Sequence, residues 1–203
     1  MPDAHGKPYV YLAGPDVFFP DAAQRAEKMK AALASRDLIG LFPLDSALDR
    51  ADFSDPKDFG LAVARANEGL MRDADIILAN IQPWRGVEAD DGAAYEIGYM
   101  AALGKVIVLY TSDPRPFADR IVDDIYRGDI YQDGPERRGR SDRMLIEDFG
   151  GLADNLMLIN AAVAAVERVM KATADPARVV RIGFEAGADF AKALWDAAHP
   201  ERA

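Results

Sequence analysis

The sequence contains no cysteine and only two histidines, His5 and His199, one near each terminus. Disulfides, thiolate nucleophiles and zinc–thiolate sites are therefore excluded, and a histidine-based triad or metal site is not expected. Any acid–base chemistry must come from carboxylates, tyrosine, lysine or backbone groups. We therefore expect a protein that uses neither a metal ion nor an organic cofactor.

Long apolar runs and positive charge are also scarce. No apolar run approaches the roughly 20 residues of a bilayer-spanning helix, and the first six residues lack the features of a signal peptide. The formal net charge is -10, so long-range electrostatics repel DNA and RNA. These absences predict a cytoplasmic protein whose partners are small molecules, with no nucleic acid and no membrane among them.

Short apolar runs and helical spacing alternate along the 203 residues. The apolar runs predict buried strands over 8–13, 38–42, 75–80 and 105–110. Between the last two, a helix is expected over about 92–103, with Gly104 as its left-handed C-terminal cap. Strands that alternate with helices predict an α/β fold with a parallel sheet.

The second half of the chain is less regular. Residues 111–152 show little periodicity and predict a long loop that is functional, partly disordered or packed on a neighbour. Helical spacing then predicts a helix over about 155–170, either directly or after a short extended piece at 156–159, and another over 184–197. We treat 1–203 as one domain, with a core over about 8–172 and a C-terminal helical extension over about 173–203.

Two carboxylates stand out at the entrance of the helix that precedes Gly104. Asp90 lies at its start and Glu96 about one turn inside, so the helix dipole is expected to keep both ionised. An ionised, positioned carboxylate can attack an anomeric carbon and form a glycosyl ester. From spacing alone, a structural role for Glu96 in the first turn or in a capping box is favoured over the catalytic one.

Several blocks of sequence favour the catalytic role of Glu96 over the structural one, because together they resemble the nucleoside 2-deoxyribosyltransferase family. The blocks are YLAGP (11–15), DIILAN (75–80), RG (85–86), DDGAAYEIGY (90–99), ALGK (102–105), EDFG (147–150) and DNLM (154–157). The resemblance runs from about residue 9 to about residue 160. Its most specific part is the stretch over 90–105.

The resemblance implies a flavodoxin-like three-layer fold and a catalytic carboxylate. Glu96 would be the nucleophile at C1′ of the sugar, and Tyr11 would hydrogen-bond and orient it. Asp90 would hold sugar hydroxyls. The family also forms homo-oligomers, as dimers or dimer-based assemblies, whose active sites are completed across a subunit interface.

Further substrate-binding positions follow from the same resemblance. Phe18 and Phe19 would supply an apolar wall near the base, and Asn155 with Met157 would reach into a neighbouring subunit's site. Gly14 closes the first strand at the edge where open parallel sheets bind ligands, and we include it among the substrate-binding residues.

Each of these roles has a structural alternative. Tyr11 lies in an apolar strand, where a buried tyrosine needs only some hydrogen-bond partner. Asp90 and Asn155 both have the chemistry of a helix N-cap. Met157 and the two phenylalanines also suit an ordinary core, and Trp84 suits either a base-stacking wall or a subunit interface.

Two positions depart from the family's pattern. Asn67, with Glu68 beside it, falls where the best-known members carry an aspartate that is thought to help protonate the leaving base. Ala47 falls near a glutamine that contacts the base. Neutral Asn67 cannot donate a proton as an acid does, so it is kept as a substrate-binding candidate, and protonation is expected from Asp45, Asp49 or water.

The expected reaction is therefore base exchange on 2′-deoxynucleosides by double displacement, with free nucleobases as second substrates and a leaning towards purine salvage. One alternative is a nucleoside N-glycosidase, in which water takes the place of the second base. Another is a non-catalytic nucleoside-binding module. Nucleotide substrates are less expected, because the loop over 14–16 contains a proline without an N–H and an aspartate that repels phosphate.

Overall fold

The computed structural model describes residues 6–46 and 48–202, so Ala47 and its expected place near the base lie outside the described residues. The described residues contain seven strands: β1 (Tyr9–Ala13), β2 (Ile39–Leu41), β3 (Ile76–Asn80), β4 (Val106–Thr111), β5 (Ile130–Asp133), β6 (Glu136–Gly139) and β7 (Val180–Ile182). Five of them form one parallel sheet in the order β2-β1-β3-β4-β7. This is the strand order of flavodoxin-like folds, when β7 is counted as the fifth strand.

Helices cover both faces of this sheet. They are α1 (Ala22–Ala34), α2 (Pro56–Asp73), α3 (Asp91–Ala102), α4 (Phe117–Arg120), α5 (Leu156–Met170) and α6 (Phe184–Ala198). α1 and α6 pack together on one face, and α2, α3 and α5 pack on the other. The expected three-layer α/β sandwich is therefore confirmed. None of the helices in the described part of the chain is both long and apolar enough to cross a bilayer.

The sequence of the central strands explains their position. Every residue of β3 and of β4 is buried, as expected of parallel strands that carry helices on both faces. One hydrophobic cluster extends through the sheet and both helical layers, from Val10 on β1 to Trp195 on α6. The four strands expected from apolar runs all exist, and each of their bounds differs from the expected one by at most one residue.

The helix that carries Glu96 ends as expected. Gly104 has a φ of 71°, the left-handed conformation that glycine adopts without strain after a helix. The helix expected over 155–170 is also present, but it begins at Leu156, so the alternative extended piece at 156–159 is wrong.

The segment after residue 172 is helical, as expected, and it also supplies a strand that the apolar runs did not predict. α6 buries Ala188, Ala191, Leu194 and Trp195 in the main cluster. A side chain at Gly187 would meet Leu78 at 2.9 Å, so α6 lies close against the sheet. β7 pairs with β4. This segment therefore completes the sheet and one helical layer.

Residues 111–152 are more ordered than a structureless loop. They contain α4, one π-helical turn (Ile121–Ile125) and the antiparallel hairpin of β5 and β6. A second, smaller hydrophobic cluster holds this segment to the loop before α3. Its buried members are Val87, Phe117, Ala118, Ile121 and Ile146.

Candidate active site

The structure brings Tyr11 and Glu96 into direct contact. Tyr11 is fully buried on β1, and Glu96 is half-buried on α3, which packs over that strand. The Tyr11 hydroxyl donates a hydrogen bond of 2.6 Å to Glu96 Oε1. A carboxylate is thus fixed in orientation by a neutral donor, as a nucleophile requires.

The surroundings of Glu96 change its acidity. Burial raises the pKa of Glu96 from 4.5 to about 7; the nearby charge of Asp90 adds to this rise, and the hydrogen bond from Tyr11 opposes it. Desolvation therefore acts against the helix dipole, which was expected to keep Glu96 ionised. Burial, together with the Glu96 charge, also raises the pKa of Tyr11 far above 10, so its hydroxyl remains a donor.

Asp90 is the N-cap of α3. Its Oδ2 accepts a hydrogen bond of 3.1 Å from the Ala93 N–H, and its side chain is buried. The capping alternative is thus confirmed for Asp90. With Asp90 as the cap, the capping-box position is Ala93, so Glu96 is not a capping-box partner.

Gly14 has a packing role at the end of β1. Its φ is 124°, and a Cβ added there would lie 2.6 Å from Asn80 Cβ. Beyond it, buried Asp16 accepts a hydrogen bond of 2.8 Å from Asn80 Nδ2. Sequence reasoning did not single out Asn80, which ties the ends of β1 and β3 together.

Phe18 and Phe19 lie in one aromatic group with Trp84. The rings of Phe18 and Trp84 stack with centroids 5.4 Å apart, and the Phe19 ring lies 5.5 Å from Trp84. Phe18 is 51% exposed, whereas Nε1 of Trp84 is buried with no hydrogen-bond partner among the described residues. The Arg85 guanidinium lies over both stacked rings. Trp84 therefore packs with the two phenylalanines, and its two alternatives, a base-stacking wall and a subunit interface, stay predictions.

Asn67 lies on α2, and its Oδ1 is a buried acceptor without a hydrogen-bond partner in the described part of the chain. The neighbouring Glu68 accepts from the Tyr95 hydroxyl at 2.8 Å. Two carboxylates named as alternative proton donors are engaged elsewhere: Asp45 pairs with Lys30 Nζ at 2.5 Å, and Asp49 accepts from the Ala51 N–H.

Asn155 and Met157 lie where α5 begins. Asn155 is the N-cap, and its Oδ1 accepts from the Met157 N–H at 2.9 Å. Its Nδ2 donates to Glu147 Oε2 at 3.3 Å. Met157 is 68% exposed, so the alternative of an ordinary core residue is wrong for it. It lines a groove between α3 and α5, opposite Ala94.

The fold and these contacts together define a class of protein. It is an α/β protein with a flavodoxin-like sheet, in which a half-buried carboxylate on α3 meets a buried tyrosine two residues before the carboxyl end of β1. Ligands of such sheets bind at this edge. Its catalytic chemistry would therefore be carried by a carboxylate.

Comparison with known proteins agrees with this class. The family model of nucleoside 2-deoxyribosyltransferase matches residues 10–157, and the chain belongs to that family. It is 31% identical over 152 residues to a Schizosaccharomyces pombe (strain 972 / ATCC 24843) protein described as uncharacterized protein C191.05c; the match covers 73% of this chain and 70% of that protein. The family resemblance of the sequence motifs is thus confirmed.

A solved structure supports the same assignment. It is described as a 2-desoxiribosyltransferase from Leishmania mexicana and is 28% identical to this chain, with a TM-score of 0.61. The match covers 95% of this chain and 98% of that one, so it extends beyond the region matched by the family model.

Proposed function

We propose that this protein exchanges the bases of 2′-deoxynucleosides in the cytoplasm by double displacement on Glu96. A Glu96 oxygen attacks C1′ and the C1′–N bond breaks, so that the base leaves with its electron pair and takes up a proton. A deoxyribosyl ester remains on the enzyme. A nitrogen of a second base then attacks C1′ and returns to water the proton that the first base took from it, the C1′–O bond of the ester breaks, and Glu96 is regenerated with net retention at C1′.

The hydrogen bond between Tyr11 and Glu96 is the observation that carries this proposal. A structural glutamate on a helix would be expected to face solvent or to cap the helix. Glu96 instead points to a buried tyrosine on the neighbouring strand, at a cost in desolvation that raises its pKa to about 7. Such perturbed carboxylates are typical of catalytic sites.

The remaining groups fit substrate recognition in this scheme. Asp90 keeps its second carboxylate oxygen for the sugar hydroxyls, since Oδ2 is used by the cap. Gly14, Phe18 and Phe19 line the part of the site that binds the nucleobase. Asn67 Oδ1 supplies an acceptor for a base N–H, because it has no partner in the described chain and a buried acceptor without one is costly.

The proposal includes an oligomer. Met157 is exposed beside the groove between α3 and α5, which agrees with a place for Asn155 and Met157 in a neighbouring subunit's site. A dimer or a dimer-based assembly would then complete each site. Light scattering coupled to size exclusion measures this directly.

The reaction is tested by incubating the protein with deoxyinosine and free adenine, beside a tube without adenine, and separating the products by chromatography. We expect deoxyadenosine only where adenine is present. Hypoxanthine and free deoxyribose without deoxyadenosine would instead establish a hydrolase. Binding of deoxyinosine without any product, for purine and pyrimidine donors alike, would favour the non-catalytic binding module.

Glu96→Gln tests the nucleophile. We expect exchange to fall by about a thousandfold or more, because an amide does not form the ester. Glu88→Gln is a matched control, since Glu88 is an exposed glutamate in the loop before α3, and it should keep normal activity. Mass spectrometry of the acid-quenched wild type should find a deoxyribosyl adduct on the peptide that contains Glu96. Near-normal exchange by Glu96→Gln would contradict the proposal.

A further inference from the structure

Arg120 is the largest fully buried side chain in the described part of the molecule. It lies on α4 with none of its surface exposed, and it pairs with Asp154, which is 2% exposed. Arg120 Nη2 and Asp154 Oδ2 are 2.9 Å apart. Asp154 opens the DNLM block (154–157), but the sequence assigned a role to neither residue, and neither is bonded to Tyr11 or Glu96 among the described residues.

All three nitrogens of the Arg120 guanidinium donate hydrogen bonds. Nε donates to the Val87 carbonyl at 2.9 Å, and Nη1 donates to the carbonyls of Arg115 at 3.1 Å and Ala153 at 2.9 Å. Together with Asp154, these acceptors come from three separate segments. Only arginine presents several donors in one rigid plane, so neither lysine nor an apolar residue could make the same set of bonds.

Two of these segments lead directly into helix caps of the candidate site. Val87 lies three residues before Asp90, the cap of α3. Asp154 immediately precedes Asn155, the cap of α5, and its Oδ1 accepts from the Asn155 N–H at 2.8 Å.

Stability alone does not account for this pair. Removing two charges from water is expensive, and well-packed apolar residues of similar volume often stabilise a protein as much as a buried ion pair does or more. What an apolar pair cannot do is bond the loop before α3 to the loop before α5. The arrangement is therefore explained by the geometry that it imposes.

We propose that Arg120, through Asp154, is a positioning residue that fixes the entrances of α3 and α5 against each other and so sets the relative placement of Asp90 and Asn155. The effect on catalysis rests on the proposed function, in which these two side chains belong to the substrate site. The effect on the two helix caps does not depend on that function. The two parts are therefore tested by different measurements.

The first measurement is amide hydrogen exchange on folded Arg120→Lys and on the double variant Arg120→Met/Asp154→Leu. The Ala93 and Met157 N–H groups report the two caps, because Asp90 and Asn155 accept from them. We expect both amides to exchange at least about tenfold faster in each variant, while the amides of β1 and β4 stay protected. The double variant leaves no unpaired charge, so it provides a folded protein if the lysine variant is unstable.

Arg138→Lys is the matched control. Arg138 is bonded to Asp133 and Glu136 in the hairpin of β5 and β6, away from both caps. Its replacement should leave the Ala93 and Met157 amides unchanged. If these amides exchange hydrogen at the wild-type rate in the folded Arg120 variants, the proposal is overturned. It is also overturned if hydrogen exchange becomes faster by the same factor across the whole sheet, because that result would indicate a purely structural role.

The second measurement is the kinetics of base exchange. We expect Arg120→Lys to lower kcat/KM about tenfold to a hundredfold, mostly through KM, because misplaced binding groups lose substrate affinity. The contact between Tyr11 and Glu96 is untouched, so the midpoint of the pH dependence should move only through Asp90, whose charge contributes to the raised pKa of Glu96. An unchanged KM would overturn the catalytic part of the proposal. A wild type without turnover would instead contradict the proposed function. The amide hydrogen-exchange measurement would still decide whether Arg120 positions the two helix caps.

Discussion

The acidity of Glu96 is the residue-scale property with the widest consequences. With a pKa of about 7, this carboxylate is about half protonated at neutral pH, and only the ionised form can attack C1′. Below pH 7 the ionised fraction falls about tenfold for each pH unit. We therefore expect kcat/KM to rise with pH up to about 7 and then to level off, which a pH series of initial rates measures.

Tyr11→Phe should move this profile. The hydrogen bond from Tyr11 lowers the pKa of Glu96, so its loss raises that pKa further and shifts the rise in kcat/KM to higher pH. We expect about a tenfold loss of kcat/KM at pH 7, in line with a hydrogen bond to a charged group. Tyr9→Phe, on the same strand, is the control and should keep the wild-type profile. A Tyr11→Phe profile with the wild-type midpoint would argue against the proposed role of this contact.

Glu96 should also make stability depend on pH. Its pKa is raised from 4.5 to about 7 in the folded protein, so the folded state binds this proton more tightly than the unfolded state. Stability is therefore lost as pH rises from about 4.5 to about 7, by at most about 3 kcal/mol. Glu96→Gln removes this loss, and we expect it to unfold at a higher temperature than the wild type at pH 8.

Comparing Glu96→Gln with the wild type at pH 5 and at pH 8 isolates the contribution of Glu96 to stability, because all other titratable groups are common to the two proteins. Thermal unfolding should show a clear gap between Glu96→Gln and the wild type at pH 8 and a much smaller one at pH 5. A gap of equal size at both pH values would mean that Glu96 does not carry the proposed buried charge.

At the scale of elements, Gly14 joins the end of β1 to the end of β3. Gly14→Ala would place a Cβ 2.6 Å from Asn80 Cβ and would also strain the backbone at a φ of 124°. We expect a loss of about 2 kcal/mol or more in the free energy of unfolding. Gly60→Ala is the control: a Cβ there meets nothing within 4 Å in α2, and it should stabilise by about 0.5–1 kcal/mol. Denaturant unfolding measures the free energy of unfolding of both variants. Equal changes in this free energy for Gly14→Ala and Gly60→Ala would contradict the proposed packing role of Gly14.

How well each element could be predicted depends on the range of the interactions that form it. β3 and β4 are continuous apolar runs and were identified from the sequence alone. β7 has only three residues, half-buried or exposed, with an arginine in the middle. Such a segment carries no periodicity, and it is a strand only because β4 offers it an edge.

The same reasoning applies to the candidate site. The caps of α3 and α5 are local, and their chemistry is visible in the sequence. Tyr11 and Glu96 lie 85 positions apart, so their contact was expected from the family motif and not from spacing. The raised pKa of Glu96 and the bonds of Arg120 depend on burial by distant segments. No local pattern indicates either of them.

At the scale of the whole molecule, the segment after residue 172 is part of the main hydrophobic cluster. It covers one face of the sheet through Ala188, Ala191, Leu194 and Trp195 and pairs β7 with β4. We expect a chain that ends after residue 172 to lack a cooperative thermal transition and to bind a hydrophobic dye, because the part of that face under α6 and the edge of β4 are left bare.

A chain that ends after residue 199 is the matched control, since it keeps β7 and α6 and loses only residues 200–203, which include the last short turn (Pro200–Arg202). It should retain the wild-type transition in calorimetry. A cooperative transition at the wild-type temperature in the shorter chain would show that the core over 8–172 is sufficient by itself.

The position of β7 in the sheet also bears on how the protein is made. On the ribosome, β1 to β4 and their helices emerge first, yet one edge of β4 and the part of the sheet face that α6 covers have no partner until residues 180–198 are synthesised. An apolar parallel sheet with an open edge is prone to pair with another nascent chain. Pauses in translation within 111–178 should therefore lower the yield of native protein, and a chaperone that shields exposed strands should restore it.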